Sequence, residues 1–303
     1  MKIAIIGAGA LGSLFGGLLS KRGEVWLYNP SFVEHVTQIK AKGLILEGKE
    51  KQRIWVRATP FIKEIEGPMD LVGIFVKAYA TEGAIKDALP LIGERTWVLS
   101  LQNGLGSEEI IAKYVDKSQI LRGVTSQGAT LVKPGRVRWA GSGPTKIGRL
   151  KGEPSEAKPL IEALKKAGIE TCYVKEGLEK VLWEKLIVNA AINPLTAIFE
   201  CRNGKLIKES SLRSLMAEVI KEGVLVAQRK GLKLNQEEMI AEAEDVCRKT
   251  AENISSMLQD IKRERRTEID YINGAIVREG KGVSVETPLN RLLFEMIRRL
   301  ENE

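Results

Sequence analysis

Hydrophobic and polar positions follow two different rhythms along this chain. Up to about residue 174, short apolar runs recur: Ile3-Ala4-Ile5-Ile6, EVWLYN (Glu24 to Asn29), DLVGIFVK (Asp70 to Lys77) and WVLSL (Trp97 to Leu101). Unbroken runs of this length predict strands buried on both faces of a parallel sheet. Leu11, Leu14, Phe15, Leu18 and Leu19 are spaced as on a helix. Residues 44–58 predict two short strands around Gly48-Lys49. ILRGVTS, RVRWAG and TKIGRL, between Ile120 and Leu150 with a turn at Pro134-Gly135, predict an antiparallel extension of the sheet. A helix over Ser155 to Ala167 and a strand over Thr171 to Val174 would close this part. From Gly177 onward the strand pattern disappears, and helical spacing predicts a helix from Leu178 to Ile192 and a long one from Gln236 to Arg265. The division is an α/β domain over 1–174 and an all-α domain over 175–303.

The first strand runs directly into Gly7-Ala8-Gly9-Ala10-Leu11-Gly12, a G-x-G-x-x-G that opens the first helix. In that setting the glycines allow a tight turn, a close backbone approach to a pyrophosphate and close helix–strand packing, and the helix N-terminus faces the phosphates. Residues 3–20 carry no charge, as a membrane span would, but their five glycines make a poor anchor, and Lys21-Arg22-Gly23-Glu24 offers no cleavage site. The second strand ends at Asn29, where an acid would bind a ribose hydroxyl and an arginine a 2′-phosphate. A neutral amide favours NADH over NADPH, with Lys40 or Lys42 as the alternative phosphate ligands, although Asn29-Pro30 also reads as turn chemistry. Lys77 and Asn103 follow strand ends and are placed to face a cofactor.

Composition narrows the class without changing it. The chain is 44% hydrophobic and 28% charged, as ordinary soluble proteins are. Cys172, Cys201 and Cys247 are scattered, without metal-ligand spacing, which predicts reduced thiols, a cytoplasmic location and no metal. The net charge of +8 comes from cations interleaved with acids, dense only at Lys262-Arg263-Glu264-Arg265-Arg266, so neither nucleic acid nor membrane is implied.

The helix from Leu178 carries Lys185, Asn189 and Asn193 at four-residue intervals in the otherwise apolar LIVNAAINPLTAIF. Amides on an apolar face require partners, either a fixed internal network or a polar ligand.

WEKLIVNAAINPLTA (Trp183 to Ala197), CRNG (Cys201 to Gly204) and ENISSMLQDIKRERRTEIDYINGAIV (Glu252 to Val277), with GAGALGS and Gln102-Asn103-Gly104, resemble the ketopantoate reductase family over nearly the whole chain. The resemblance implies a Rossmann-type dinucleotide-binding domain, an all-helical substrate-binding and dimerisation domain with the active site between them, and NADH- or NADPH-dependent reduction of 2-dehydropantoate to (R)-pantoate. It places the catalytic lysine at Lys185 and the substrate amides at Asn103, Asn189, Asn193 and Asn203. The carboxylate-binding serine falls at Ser256, with Asn253 one helical turn away, and a site glutamate at Glu268, which also borders the cofactor. Lys77, Asn103 and Ala129 match cofactor-side positions, whereas Asn29 stands where NADPH-using members carry arginine. The chemistry agrees, since ketone reduction needs a proton donor and the single histidine, His35, lies in the nucleotide domain. A homodimer is expected. The alternatives are a lysine-dependent dehydrogenase of another 2-oxo or 3-hydroxy acid, and a non-catalytic NAD(H)-sensing protein.

Overall fold

The computed structural model describes residues 1–48 and 50–301, so Lys49 of the expected Gly48-Lys49 turn lies outside the described residues. The chain divides into two compact units, one of residues 1–102 and 107–178, the other of 103–106 and 179–303.

Among the described residues the first unit contains twelve strands: β1 (Lys2–Ile6), β2 (Glu24–Tyr28), β3 (Leu44–Glu47), β4 (Lys51–Ile54), β5 (Arg57–Thr59), β6 (Leu71–Ile74), β7 (Trp97–Ser100), β8 (Ile120–Thr125), β9 (Gly128–Lys133), β10 (Arg136–Gly141), β11 (Thr145–Arg149) and β12 (Thr171–Tyr173). Its helices are α1 (Ala10–Leu19), α2 (Val33–Lys42), α3 (Thr81–Ala88), α4 (Ser107–Ile111) and α5 (Lys158–Lys166). The main sheet has the order β12-β11-β8-β7-β6-β1-β2-β5. From β5 to β8 all neighbours are parallel. Counted along the chain, those six strands stand in the order 3-2-1-4-5-6 of a dinucleotide-binding sheet. β1 explains why an unbroken apolar run belongs there. Ile3 and Ile5 enter the core on one face of the sheet, and Ala4 and Ile6 enter the core on the other.

The expected antiparallel extension is only partly present. ILRGVTS forms β8, the sixth parallel strand, and TKIGRL forms β11, antiparallel to it. RVRWAG instead forms β10, which leaves the main sheet and joins β9, β3 and β4 in a second sheet ordered β4-β3-β10-β9. The second sheet packs closely on α1, which presents glycine towards it: a Cβ on Gly17 would lie 2.8 Å from a Leu44 methyl.

The second unit is helical: α6 (Leu178–Ile198), α7 (Lys205–Lys208), α8 (Ser210–Arg229), α9 (Gln236–Lys249), α10 (Ser256–Ile261), α11 (Asn273–Gly282) and α12 (Pro288–Leu300). α6 lies at the centre of its core through Trp183, Leu186, Ile187, Ala191 and Leu195. Two sequence expectations need correction. α6 does not stop at Ile192 but continues through Pro194 to Ile198. The long helix from Gln236 to Arg265 is broken between Lys249 and Ser256. The break is held by polar groups: Ser255 caps α10 by accepting from Leu258 N–H, Asn203 N–H donates to the Asn253 carbonyl, and Gly204 N–H to that of Ala251. A continuous helix would have used both carbonyls internally. Among the described residues no helix is long and apolar enough to cross a membrane.

Candidate functional site

In the first unit the glycine loop meets each requirement of a pyrophosphate cradle. Gly7 has φ of 99°, and a Cβ there would lie 2.6 Å from the Val76 nitrogen. A Cβ on Gly12 would lie 2.3 Å from the Gly7 carbonyl oxygen. At Gly9 a Cβ would meet no atom within 4 Å, so the backbone faces open space where a phosphate would approach. Gly9 is also the N-cap of α1, which has no side-chain cap and no acid in its first turn. Its unpaired N–H groups and positive dipole end suit an anion, and a nicotinamide dinucleotide fits these residues.

Two residues outside the expected set hold this region in place. His35 is fully buried on α2. Its Nδ1 accepts from Gly135 N–H at 3.0 Å, so the neutral ring carries its hydrogen on Nε2 and donates to Ser13 Oγ of α1 at 2.9 Å. Burial lowers the imidazole from 6.5 to about 4. Gln102 donates through Nε2 to the Val76 carbonyl and to Thr81 Oγ1, both at 2.8 Å, and accepts from Ser100 Oγ. It thereby ties the end of β7 to the segment carrying Lys77. Gln102 lies in the recognisable Gln-Asn-Gly; the role of His35 has no local signal.

Asn29 follows β2, and its Oδ1 accepts from the N–H groups of Ser31 and Phe32. The turn role is therefore real. Lys40 and Lys42 occupy the last turn of α2, whereas Asn29 precedes its first turn. Lys40 is paired with Glu64 at 3.3 Å. Ala129 lies on β9 of the second sheet, paired with Trp139.

In the second unit, continuation of α6 past Pro194 keeps Lys185, Asn189 and Asn193 on one helical stripe. Lys185 and Asn189 are half-buried, Asn193 is 6% exposed, and neither asparagine side chain hydrogen-bonds a described residue. Thr196, one turn further, donates to Ser255 Oγ at 2.7 Å and brings this end of α6 against the α9–α10 break. Asn203 reaches the same break: its Nδ2 donates to Thr250 Oγ1 at 2.8 Å, and its buried Oδ1 has no partner among the described residues. Asn253 and Ser256 are exposed, Asn253 in the break and Ser256 as the first residue of α10. They are not one turn apart on a single helix as expected, because Ser255 caps α10 between them. Of the two adjacent serines, the buried Ser255 is structural and Ser256 is free to meet a ligand.

Glu268 is 6% exposed and does not cap the short 3₁₀ turn it precedes. It accepts from Asn103 Nδ2 at 3.3 Å, within the same unit. Gly104, at φ of 84°, allows that contact: a Cβ there would lie 2.2 Å from the Tyr271 carbonyl oxygen. Among the described residues no group of three or more His, Cys, Asp or Glu is placed to hold a metal. Burial pushes the Cys247 thiol up to about 12, which leaves it inert.

The chain matches two family models, "Ketopantoate reductase PanE/ApbA" over residues 3–152 and "Ketopantoate reductase PanE/ApbA C terminal" over residues 178–301. A 2-dehydropantoate 2-reductase of Pyrococcus horikoshii is 41% identical over 304 residues, covering 100% of this chain and 98% of the relative. One of Archaeoglobus fulgidus is 39% identical, covering 99% and 98%. Among solved structures, a D-mandelate dehydrogenase with NADH and anilino(oxo)acetate superposes with a TM-score of 0.95 at 36% identity, covering 100% of this chain and 98% of that one. A PanE/ApbA family ketopantoate reductase from Ralstonia eutropha JMP134 gives 0.90 at 31% identity, covering 100% and 99%. With both models matched in order and relatives aligned from end to end, the chain belongs to the ketopantoate reductase family.

Proposed function

We propose that this enzyme reduces 2-dehydropantoate to (R)-pantoate with a nicotinamide cofactor, in the cytoplasm, on the route to pantothenate and coenzyme A. The observation that carries the reading is the α6 stripe, Lys185 followed by two uncommitted amides in a stretch, Leu186 to Ala197, whose other residues are all core. The bound nicotinamide supplies the hydride. Lys185 donates the proton to the developing alkoxide, and its ammonium stabilises that charge before the proton moves. Asn189 and Asn193 orient the substrate, and Ser256 with Asn253 anchors its carboxylate through neutral donors. The Asn203 Oδ1 supplies an acceptor for a hydroxyl, and Glu268, held by Asn103, supplies a second. A homodimer belongs to the same reading, supported by the exposed Phe199, Leu292 and Met296.

The deciding experiment is the loss of reduced-cofactor absorbance with 2-dehydropantoate, set against pyruvate, 2-oxoisovalerate and, in reverse, D-mandelate. The highest kcat/KM with 2-dehydropantoate is expected, and higher turnover of any other acid would overturn the reading. Ser256→Ala should raise KM for 2-dehydropantoate more than it lowers kcat, because it removes a ground-state anchor; unchanged saturation would remove Ser256 from the site.

The cofactor reading is NADH, equal to or ahead of NADPH. Residues 29–34 contain no cation, and Glu34 adds a negative charge to the first turn of α2. Asn29→Arg should move kcat/KM towards NADPH by about tenfold or more, each tenfold being about 1.4 kcal/mol. A wild type with a strong NADPH preference would refute the assignment.

A further inference from the structure

Pro194 lies inside α6 and has no N–H to give to the carbonyl of Ala190, four residues earlier. That carbonyl has another donor: Asn273 Nδ2 of α11 lies 2.9 Å from it. The second hydrogen of the same amide goes to Asn290 Oδ1 at 3.1 Å. Asn290 Nδ2, in turn, donates to Glu222 Oε2 at 2.8 Å and to the Val219 carbonyl at 3.2 Å. Glu222 of α8 also accepts from the N–H groups of Leu289 and Asn290 and so closes the open N-terminus of α12. Donation runs outward from Asn273 in both directions, and each amide has one orientation only, because the Ala190 carbonyl at one end and the Glu222 carboxylate at the other can only accept. Asn273 and Asn290 are both 0% exposed, so water does not replace either partner.

We infer that Asn273 is a positioning residue for the reaction: it supplies the hydrogen bond that Pro194 removes, and so holds Asn193, inside the interrupted turn, in register with Lys185 before it. Ala190 sits between them, next to Asn189, so any change in the pitch of this turn moves Asn193 relative to Lys185. The inference rests on the reading of Lys185 as proton donor. It assigns Asn273 no contact with substrate or cofactor.

The test is a cycle of Asn273→Ala, Pro194→Ala and the double variant in the full-length enzyme. Alanine at 194 restores an N–H to the Ala190 carbonyl from within the helix. Asn273→Ala should lower kcat for 2-dehydropantoate by roughly tenfold to a hundredfold, with KM for the nicotinamide cofactor unchanged. The double variant should recover most of that loss. A folded Asn273→Ala with kcat within about twofold of wild type would overturn the inference, as would a double variant no more active than Asn273→Ala. Should Asn273→Ala fail to fold, a folded and active double variant supports the inference, and a double variant that also fails to fold overturns it. Lys185→Ala, run alongside, separates the two readings: activity retained there refutes the lysine assignment, while an inactive Lys185→Ala beside an unaffected Asn273→Ala refutes only the role of Asn273.

Discussion

Replacing Lys185 by alanine should lower kcat by about two to four orders of magnitude, the range for loss of a positioned proton donor and equivalent to about 3–5 kcal/mol of barrier. The fold should tolerate the change. Lys185 is half-buried on α6, and the core beside it is made by Trp183, Leu186 and Ile187, so truncation opens no enclosed cavity. Affinity for the reduced cofactor should stay within about twofold, because the cradle at Gly7, Gly9 and Gly12 belongs to the other compact unit. Single-turnover rates with cofactor binding followed by fluorescence would separate the two quantities. Turnover near the wild-type rate would end the assignment.

The second large effect is on stability. His35 titrates near 6.5 when unfolded and at about 4 in the folded protein, where burial disfavours its charge. A base whose pKa is lowered by folding leaves the unfolded chain holding the extra proton between those values, so stability falls as pH falls through that window. Above 6.5 the contribution is complete, and below about 4 both states are protonated and it is gone. The slope is about 1.4 kcal/mol per pH unit, about 3 kcal/mol across the window. His35→Gln keeps polar atoms near Ser13 and Gly135 but has nothing to titrate. Urea unfolding of both proteins from pH 7 to pH 4 should therefore give a flatter profile for the variant by about that amount. Parallel profiles would show that the imidazole plays no such part.

The local patterns that announced the function survive in the structure. The glycine loop reads correctly because strand, turn and helix must agree within twelve residues for it to form at all. The four-residue spacing of Lys185, Asn189 and Asn193 falls on one continuous helix, so the three share a stripe. The errors come from partners distant in sequence. Proline should end a helix, and α6 continues because Asn273, 83 residues from Ala190, supplies a donor. An uninterrupted helical pattern over 236–265 should stay one helix, and it breaks because Asn203 and Gly204 claim its carbonyls. RVRWAG reads as a strand, but the sheet it joins is decided by β3 and by the glycine face of α1. His35 reads as a lone histidine; its value comes from Gly135, 100 residues away.

The break between α9 and α10 also depends on contacts that are costly in chain entropy. Gly204 fits against Ala251, where a Cβ would lie 2.7 Å from the alanine methyl, and the ion pair Arg202–Glu252 spans 50 residues of chain. Closing a loop of that length opposes the contact by roughly 3.5 kcal/mol of chain entropy. Before closure the segment has only its own propensity to follow, which is helical throughout. The free Ser256 at the start of α10 thus rests on a non-local closure as well as on the local Ser255 cap, and a fragment beginning after Gly204 keeps the cap but lacks the donors of Asn203 and Gly204.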